Sequence, residues 1–374
     1  MKFHIPVKVF DEKDCVKKHS GELATFGKKA LIVTGRNSAR VNGSLDDVIE
    51  ALKNENVEYL LFSDVEENPS VETVFAAAEK YRTECIDFVI GIGGGSPLDA
   101  AKAIALALKH PETDLAYLYD KERDPSALPV VCVPTTCGTG SEVTGVSVLT
   151  RHDKKTKISM VHKVYPDLAL VDGKYLESAP QSLIVNTSVD ALAHLYESVL
   201  NAKVNDYVRM TACAGLKCWA KTKDVLSGKR ERSEEDNALL MRSSLFAGMS
   251  IAQSGTSLPH ALSYALTYDL KMPHGKAVGC FLPGFLAAAP AEQRDELLKL
   301  AGFNDMDDFS AFISELFKDI EVPEEELHRA GELVSANRAK MESASFFVDD
   351  TVLDNILQSR GRFHNHGDGS MVDC

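Results

Sequence analysis

An α/β first half built on a parallel sheet, followed by an all-α second half, is the fold class predicted for this chain of 374 residues. Three observations carry the prediction. Short apolar runs alternate with amphipathic segments as far as about Pro180, the pattern of strands covered by helices on both faces. Beyond Pro180 the strand signal fades and long Ala/Leu-rich periodic segments replace it, as expected of helices. Three glycines, Gly93-Gly94-Gly95, stand where an apolar strand meets a helix. Length supports two domains, placed at residues 1–179 (α/β) and 180–374 (all-helical), with the junction near Glu177 to Gln181.

Taken in order, Lys29 to Thr34 is a buried strand ending at Gly35, and Leu45 to Leu52 a helix. Val57 to Phe62 is a second strand and Val71 to Tyr81 an amphipathic helix. Phe88 to Ile92 is a third strand, Leu98 to Leu108 its helix, and Pro129 to Val133 a fourth strand. Ligands of such sheets sit outside the carboxyl ends of the strands. In the second half, Leu183–Leu200, Asp206–Lys221, Asn237–Met249 and Asp307–Phe317 read as helices. The tail, Gly361 to Cys374, is polar and expected to be loosely ordered, with His364 and His366 in solvent.

Composition narrows the function classes. A formal net charge of −14 and the lack of a long basic run argue against nucleic acid as a partner. No apolar run approaches membrane-spanning length. The start, Met1 to Pro6, lacks a secretion signal's apolar stretch. Eight cysteines are scattered without a CxxC, and Cys213 and Cys218 have no second pair to complete a zinc site. Reduced thiols in a cytoplasm are expected.

The strongest glycine signal is Gly91-Ile92-Gly93-Gly94-Gly95-Ser96-Pro97-Leu98-Asp99. Glycines let a backbone approach a ligand closely, and free N–H groups at a helix start attract phosphate. Pro97 suits the first turn and Ser96 is placed to cap it. Ser96 stands where a dinucleotide GxGxxG would have its last glycine. A tight strand-to-helix turn needs fewer glycines, so pyrophosphate binding is expected. A second loop, Pro134 to Thr144, is dense in hydroxyls and glycines and would emerge on the same sheet edge, suited to ribose and nicotinamide amide. Cys137, within it, has no visible base nearby and reads as a small loop residue.

In the helix from Leu183, Asp190 and His194 are four residues apart and share one face. His260 and His274 each follow a proline in apolar context. A carboxylate and imidazoles are suitable donors for a first-row divalent metal, although a single such histidine is more often a hydrogen-bonded core residue.

Together the motifs GGGSPLD, PTTCGTGSE and DALAH and the two later histidines resemble the iron-containing (group III) alcohol dehydrogenase family, over about Gly21 to Phe347. The resemblance implies a nucleotide-binding domain, a helical metal-binding domain and a cleft between them. It implies metal ligands at Asp190, His194, His260 and His274. It implies nucleotide contacts at Asn68, Gly94, Gly95, Ser96, Asp99, Thr135, Thr136, Thr139 and Ser141, with Lys157 and Leu176. Some branches carry a further histidine four residues after the third ligand, assisting proton relay; here that position is Tyr264. Proton transfer is then left to water, the ribose hydroxyls or Tyr264, and no residue is assigned as catalytic base.

Such a site would hold Fe(II) or Zn(II) and acidify a bound alcohol or polarise a bound aldehyde, with hydride passing to or from nicotinamide. An NAD site usually offers a carboxylate to the ribose 2′-OH. Here Gly35 ends the first strand and no acid follows until Asp46; Gly35 leaves room for a 2′-phosphate, and Ser38 with Arg36 and Arg40 could bind it. NADP(H) is therefore expected, with NAD possible. The expected reaction is oxidation of a small primary alcohol or diol, or reduction of the aldehyde. The alternatives are glycerol or glycerol-phosphate oxidation, maleylacetate reduction or a dehydroquinate-synthase-like lyase, and lastly a non-catalytic binder. The absence of an obvious basic cluster argues against a phosphorylated substrate. Val146, Phe246 and Tyr264 are candidate pocket residues, suggesting an apolar pocket. A homodimer or larger assembly is expected.

Overall fold

A computed structural model describes residues 1–318 and 321–359; the C-terminal tail, with His364 and His366, lies outside the described residues. Eight strands are present among them: β1 (Lys8–Asp11), β2 (Lys29–Gly35), β3 (Glu58–Val65), β4 (Phe88–Gly93), β5 (Val130–Pro134), β6 (Val148–Arg151), β7 (Thr156–Ser159) and β8 (Leu168–Val171). Six form one sheet in the order β1-β8-β5-β4-β2-β3, all parallel, and β6 and β7 form an antiparallel hairpin. The four expected strands are the centre and one edge of this sheet. The strands β1 and β8 extend it on the other side, and neither was anticipated.

The sheet is covered because its side chains alternate. Leu31, Val33, Val89 and Cys132 face one core, packed by the helices α2 (Val71–Tyr81) and α3 (Gly95–Lys109). Ala30, Ile32, Ile90 and Val131 face the other, packed by Leu45, Val48 and Leu52 of helix α1 (Ser44–Asn54). Register aligns these layers, with Ile32 opposite Ile90 and Ile90 opposite Val131. Each fully buried Ile, Leu or Val stabilises the fold by roughly 1.5–3 kcal/mol.

The second half is helical: α4 (Gln181–Val199), α5 (Asp206–Ala220), α6 (Glu234–Ser254), α7 (Leu258–Asp269), α8 (His274–Gly279) and later helices including Met306–Leu316. Their starts are set by side chains. Asn205 accepts from Tyr207 N and Val208 N at the start of α5, and Ser233 with Asp236 forms a capping box on α6, satisfying orphan N–H groups. Trp219 is fully buried between these helices and its indole N–H donates to Ser188 O at 2.9 Å. The helical core also takes in Val143, Ala169 and Val171 from the first half.

Candidate active site

The chain leaves β2 toward β3 on one side, then returns to build β4, β5 and β8 on the other. Strand order therefore reverses between β2 and β4, and a crevice opens there at the carboxyl ends. Gly35 ends β2 and Ser38 follows it, and Gly94, Gly95 and Ser96 follow β4. Thr135, Thr136, Thr139 and Ser141 lie at the end of β5 and in the loop after it. All of these line one cleft of about 1200 Å³, together with Asn68, Asp99 and Lys157. Leu176 does not. It is fully buried in the helical core, not in the cleft wall, because the short turn Gly173–Leu176 directs it inward; Tyr175, Ser178, Ala179 and Pro180 form the wall there instead. Arg36 and Arg40 are likewise absent from the lining.

The glycines of the first loop let two loops touch. A Cβ on Gly95 would lie 2.7 Å from Thr139 Cγ2, and one on Gly94 would lie 3.0 Å from Thr136 Oγ1. The helix α3 begins at Gly95 with Gly94 as its N-cap, so Ser96 lies inside the first turn and does not cap it; its hydroxyl accepts from Asn68 N at 3.0 Å. Asn68 has φ 57°, and its side-chain oxygen accepts from Lys157 Nζ at 3.2 Å.

Asp99 is tied to the second loop: its carboxylate accepts from Ser141 Oγ at 2.6 Å and from Val148 N at 2.8 Å. Lys102, fully buried, donates to Ser141 Oγ at 2.6 Å and Val146 O at 2.8 Å, and sits 3.6 Å from Asp99. The sequence reading missed Lys102. The available signal was a lysine three residues after Asp99, in a run from Ala100 to Leu108 otherwise made of Ala, Ile and Leu.

At the floor of the cleft four polar side chains converge. Asp190 and His194 come from α4, His260 from the first turn of α7 and His274 from the start of α8. The Nε2 atoms of His260, His274 and His194 lie 3.2, 3.8 and 4.0 Å from Asp190 Oδ1. Asp190, His260 and His274 offer ligand atoms within 4.8 Å of one another; His194 stands just outside this trio, its ring stacked on His260 at 4.3 Å. Close backbone approach makes this possible: a Cβ on Gly275 would fall 1.7 Å from Asn186 O, and one on Gly138 2.8 Å from Thr187 O.

The outward nitrogens are engaged elsewhere. His194 Nδ1 donates to Gly138 O at 3.2 Å, and His260 Nδ1 is bound to the Glu197 carboxylate, whose other oxygen accepts from His260 N at 3.0 Å. Each thereby turns its Nε2 toward Asp190 Oδ1, the arrangement in which a second partner fixes the imidazole tautomer. His274 Nδ1 is buried without a hydrogen-bond partner among the described residues. A buried carboxylate beside three Nε2 atoms fits a divalent cation by donor type and direction. Glu197, fully buried, was not identified from sequence; its signal is position, seven residues after Asp190 and thus on the same helical face.

Charge balance agrees with that fit. Burial alone would push Asp190 up, but the His194 and His274 charges and the His260 hydrogen bond hold it below the usual carboxylate range. Burial opposes a charged His260, yet Glu197 and Asp190 push it up to about 9. Burial lowers His194, and burial with the Lys157 charge takes His274 well below the ordinary range.

Between cation site and nucleotide loops stand Tyr264 and Lys157. The Tyr264 ring stacks on His274 at 6.2 Å, and Lys157 Nζ lies 5.4 Å from its centroid. Burial pushes the Tyr264 hydroxyl up to about 12, so it stays protonated, and lowers Lys157 to about 8. Val146 lines the cleft as expected; Phe246 does not, and packs toward Gly215 between α5 and α6. Cys137 is buried against Thr187 and Ser188, and burial raises its thiol, so it is no nucleophile.

Comparison with known proteins agrees on one family. Residues 6–173 match the model of the iron-containing alcohol dehydrogenases, and residues 184–350 match that of the family's C-terminal region. The NADPH-dependent butanol dehydrogenase of Clostridium saccharobutylicum is 30% identical over 343 residues, 86% of this chain and 85% of its own. The 1,3-propanediol dehydrogenase of Klebsiella pneumoniae is 32% identical over 69% of this chain and 67% of its own. The crystal structure of an iron-containing alcohol dehydrogenase from Thermotoga maritima superposes with a TM-score of 0.88 at 35% identity, covering 96% of this chain and 99% of that one. With a nucleotide-sized cleft at the sheet's switch point and a carboxylate–imidazole cluster at its floor, this chain belongs to the iron-containing alcohol dehydrogenase family of oxidoreductases.

Proposed function

We propose that this chain exchanges a hydride between NADP(H) and a small primary alcohol, diol or aldehyde, with a divalent cation, Fe(II) or Zn(II), held by Asp190, His194, His260 and His274. The observation that carries the reading is the convergence of three imidazole Nε2 atoms on one Asp190 oxygen at the floor of the cleft lined by the glycine and hydroxyl loops. When bound, the cation supplies Lewis acidity toward the substrate oxygen. The chain's own residues supply position: the loops after β4 and β5 lay the nucleotide along the crevice, and Tyr264 and Lys157 stand between it and the cluster.

Preference for NADP(H) is supported by Gly35 and Ser38 in the cleft wall, since β2 itself ends without a carboxylate to receive a 2′-OH, while Glu66, after the neighbouring β3, is engaged by Ser70 and Thr73. Because Arg36 and Arg40 lie outside the lining, Ser38 and the adjacent backbone carry that preference. A boundary at residues 179/180 is part of the same reading, supported by β8 ending at Val171 and α4 starting at Gln181. The test is butanal reduction with NADPH and with NADH, after chelation and after refilling with single metals. Activity lost on chelation, restored by Fe(II) or Zn(II) and faster with NADPH supports the reading. Activity indifferent to chelation overturns the metal role, and preference for NADH overturns the cofactor.

A further inference from the structure

One wall of the cleft is not used by hydride transfer. The lining includes Asn201, Lys203, Thr256, Lys340 and Ser343. This wall is a built unit. Asn201 pairs with Ala344 in an antiparallel bridge, Ala202 N donates to Ser343 O at 2.9 Å, and Ser345 N donates to Leu200 O at 2.7 Å. Ser257 and Ser343 hydroxyls are 2.8 Å apart, joining the wall to the start of α7 and so to His260.

Two cations belong to this wall, half-buried Lys340 and exposed Lys203. Among the described residues neither ammonium has a hydrogen-bond or ion-pair partner. The other lysines differ: Lys157, in the cleft, is bound by Asn68, and Lys102, buried behind the cleft wall, by Ser141 and Val146 O. The acid on this wall, Glu342, is taken by Arg338, which donates to it at 2.7 Å. Burial disfavours the Lys340 ammonium, the Lys203 charge adds to that, and Glu197 opposes it. Lys340 thus shares a field with the carboxylate that holds His260. A chain of net charge −14 that leaves two neighbouring cleft cations without an acid presents them to a ligand, since half-buried charges are stabilised by pairing.

We propose that this wall is the subsite for the non-reacting end of the substrate, and that it takes a small oxyanion: the preferred substrates are short aldehydes and alcohols bearing a carboxylate, sulfonate or phosphonate at the far end. The inference rests on the dehydrogenase reading and names its substrate class. The oxyanion binds Lys203 and Lys340 and takes no part in the chemistry: aldehyde, reduced nicotinamide and a proton give alcohol and oxidised nicotinamide. It revises the apolar pocket expected from sequence. Lys203 and Lys340 are 137 positions apart in the chain, so no local basic cluster could announce them.

The test compares succinic semialdehyde with butanal, and with sulfonate and phosphonate analogues of matched length, on the metal-replete enzyme. An oxyanion preference in kcat/KM of at least about tenfold at low salt is expected, shrinking as salt screens it. Lys340→Gln and Lys203→Gln should each lower that ratio about tenfold, and Lys340→Arg should keep it near the parent value, because a guanidinium carries the same charge and also pairs with an oxyanion. Calorimetry of succinate binding to the NADP-loaded chain gives a readout independent of turnover, with weaker binding expected in both Gln variants. The analogue arms decide which oxyanion is preferred. Equal kcat/KM for succinic semialdehyde and butanal, or a Lys340→Gln variant that loses both alike, overturns the subsite while leaving the dehydrogenase intact. If neither aldehyde is reduced, the dehydrogenase reading fails, and succinate calorimetry still decides the subsite.

Discussion

Replacing Gly35 by aspartate should convert the cofactor preference. A Cβ at Gly35 would meet Val65 O at 3.5 Å and both Pro97 Cγ and Ser38 Oγ at 4.0 Å, which is ordinary contact. Gly35 is not among the positive-φ glycines, so an aspartate enters without backbone strain. Its carboxylate would stand where β2 ends, toward the ribose 2′ position. Against a 2′-phosphate of charge about −2 at ~6 Å, repulsion is ~1.4 kcal/mol at the dielectric of water and ~5 kcal/mol at an effective value near 20. The smaller figure alone is about tenfold in rate. In butanal reduction followed by nicotinamide absorbance, Gly35→Asp should lower kcat/KM with NADPH at least about tenfold and hold or raise it with NADH, whose 2′-OH the carboxylate accepts from. Equal losses with both cofactors would refute the placement of the 2′ group beside Gly35.

Three further substitutions test the surrounding structure. Glu197→Gln weakens the support of His260 and should cut divalent-metal affinity about 10–100-fold, measured by competition with a chelator; unchanged affinity would show that Glu197 does not orient this ligand. Lys102→Met leaves Asp99 with no buried counter-charge and should destabilise the fold by about 3–5 kcal/mol in urea unfolding, with Lys102→Met/Asp99→Asn recovering part of it; a single variant as stable as the parent would contradict the buried-lock reading. Burial pushes Glu142 from its ordinary 4.5 up to about 7. A carboxyl raised on folding binds more protons folded than unfolded between those values, so its contribution is present below pH 4.5 and lost as pH rises through 7. Glu142→Gln should then stabilise the chain at pH 8 by up to roughly 3 kcal/mol and change it little near pH 4.5; a pH-independent effect would contradict this.

The legible parts of the fold were those with local periodicity. Val71–Tyr81 is legible with its observed bounds because its apolar face repeats and Ser70 caps it, the Ser70 hydroxyl accepting from Thr73 N at 3.2 Å. The strands β1 and β8 were missed because each has four residues, and their pairing joins Lys8 to Leu168, far beyond any sequence window. The hairpin β6–β7 was hidden for a similar reason, with four-residue strands and no Asn-Gly turn. The helix α3 starts at Gly95, three residues before the expected Leu98, because Gly94 and not Ser96 is its N-cap, while Pro97 lies in the first turn as expected.

At the site, residue types drawn to one place were legible through motifs, and relations between distant residues were not. Asp190 and His194 advertise themselves by helical spacing. Glu197 lay on the same face, but its meaning depends on His260 arriving from another helix. Leu176 was one to four residues away from the cleft wall built by Tyr175, Ser178, Ala179 and Pro180, a displacement that a short turn produces and a motif does not encode. Lys203 and Lys340 share a wall only because residues 201 and 344 pair.

The central claim is that Asp190, His194, His260 and His274 hold one divalent cation at the floor of the nucleotide cleft. The most direct measurement is the metal-to-chain ratio after dialysis against Zn(II), for the parent chain and for Asp190→Asn and His274→Ala, each checked for native folding by circular dichroism. The account predicts one ion per parent chain and, in either variant, an affinity lower by at least about a hundredfold, as expected when a ligand itself is removed and not merely its support. Variants that fold and bind Zn(II) as tightly as the parent would contradict it.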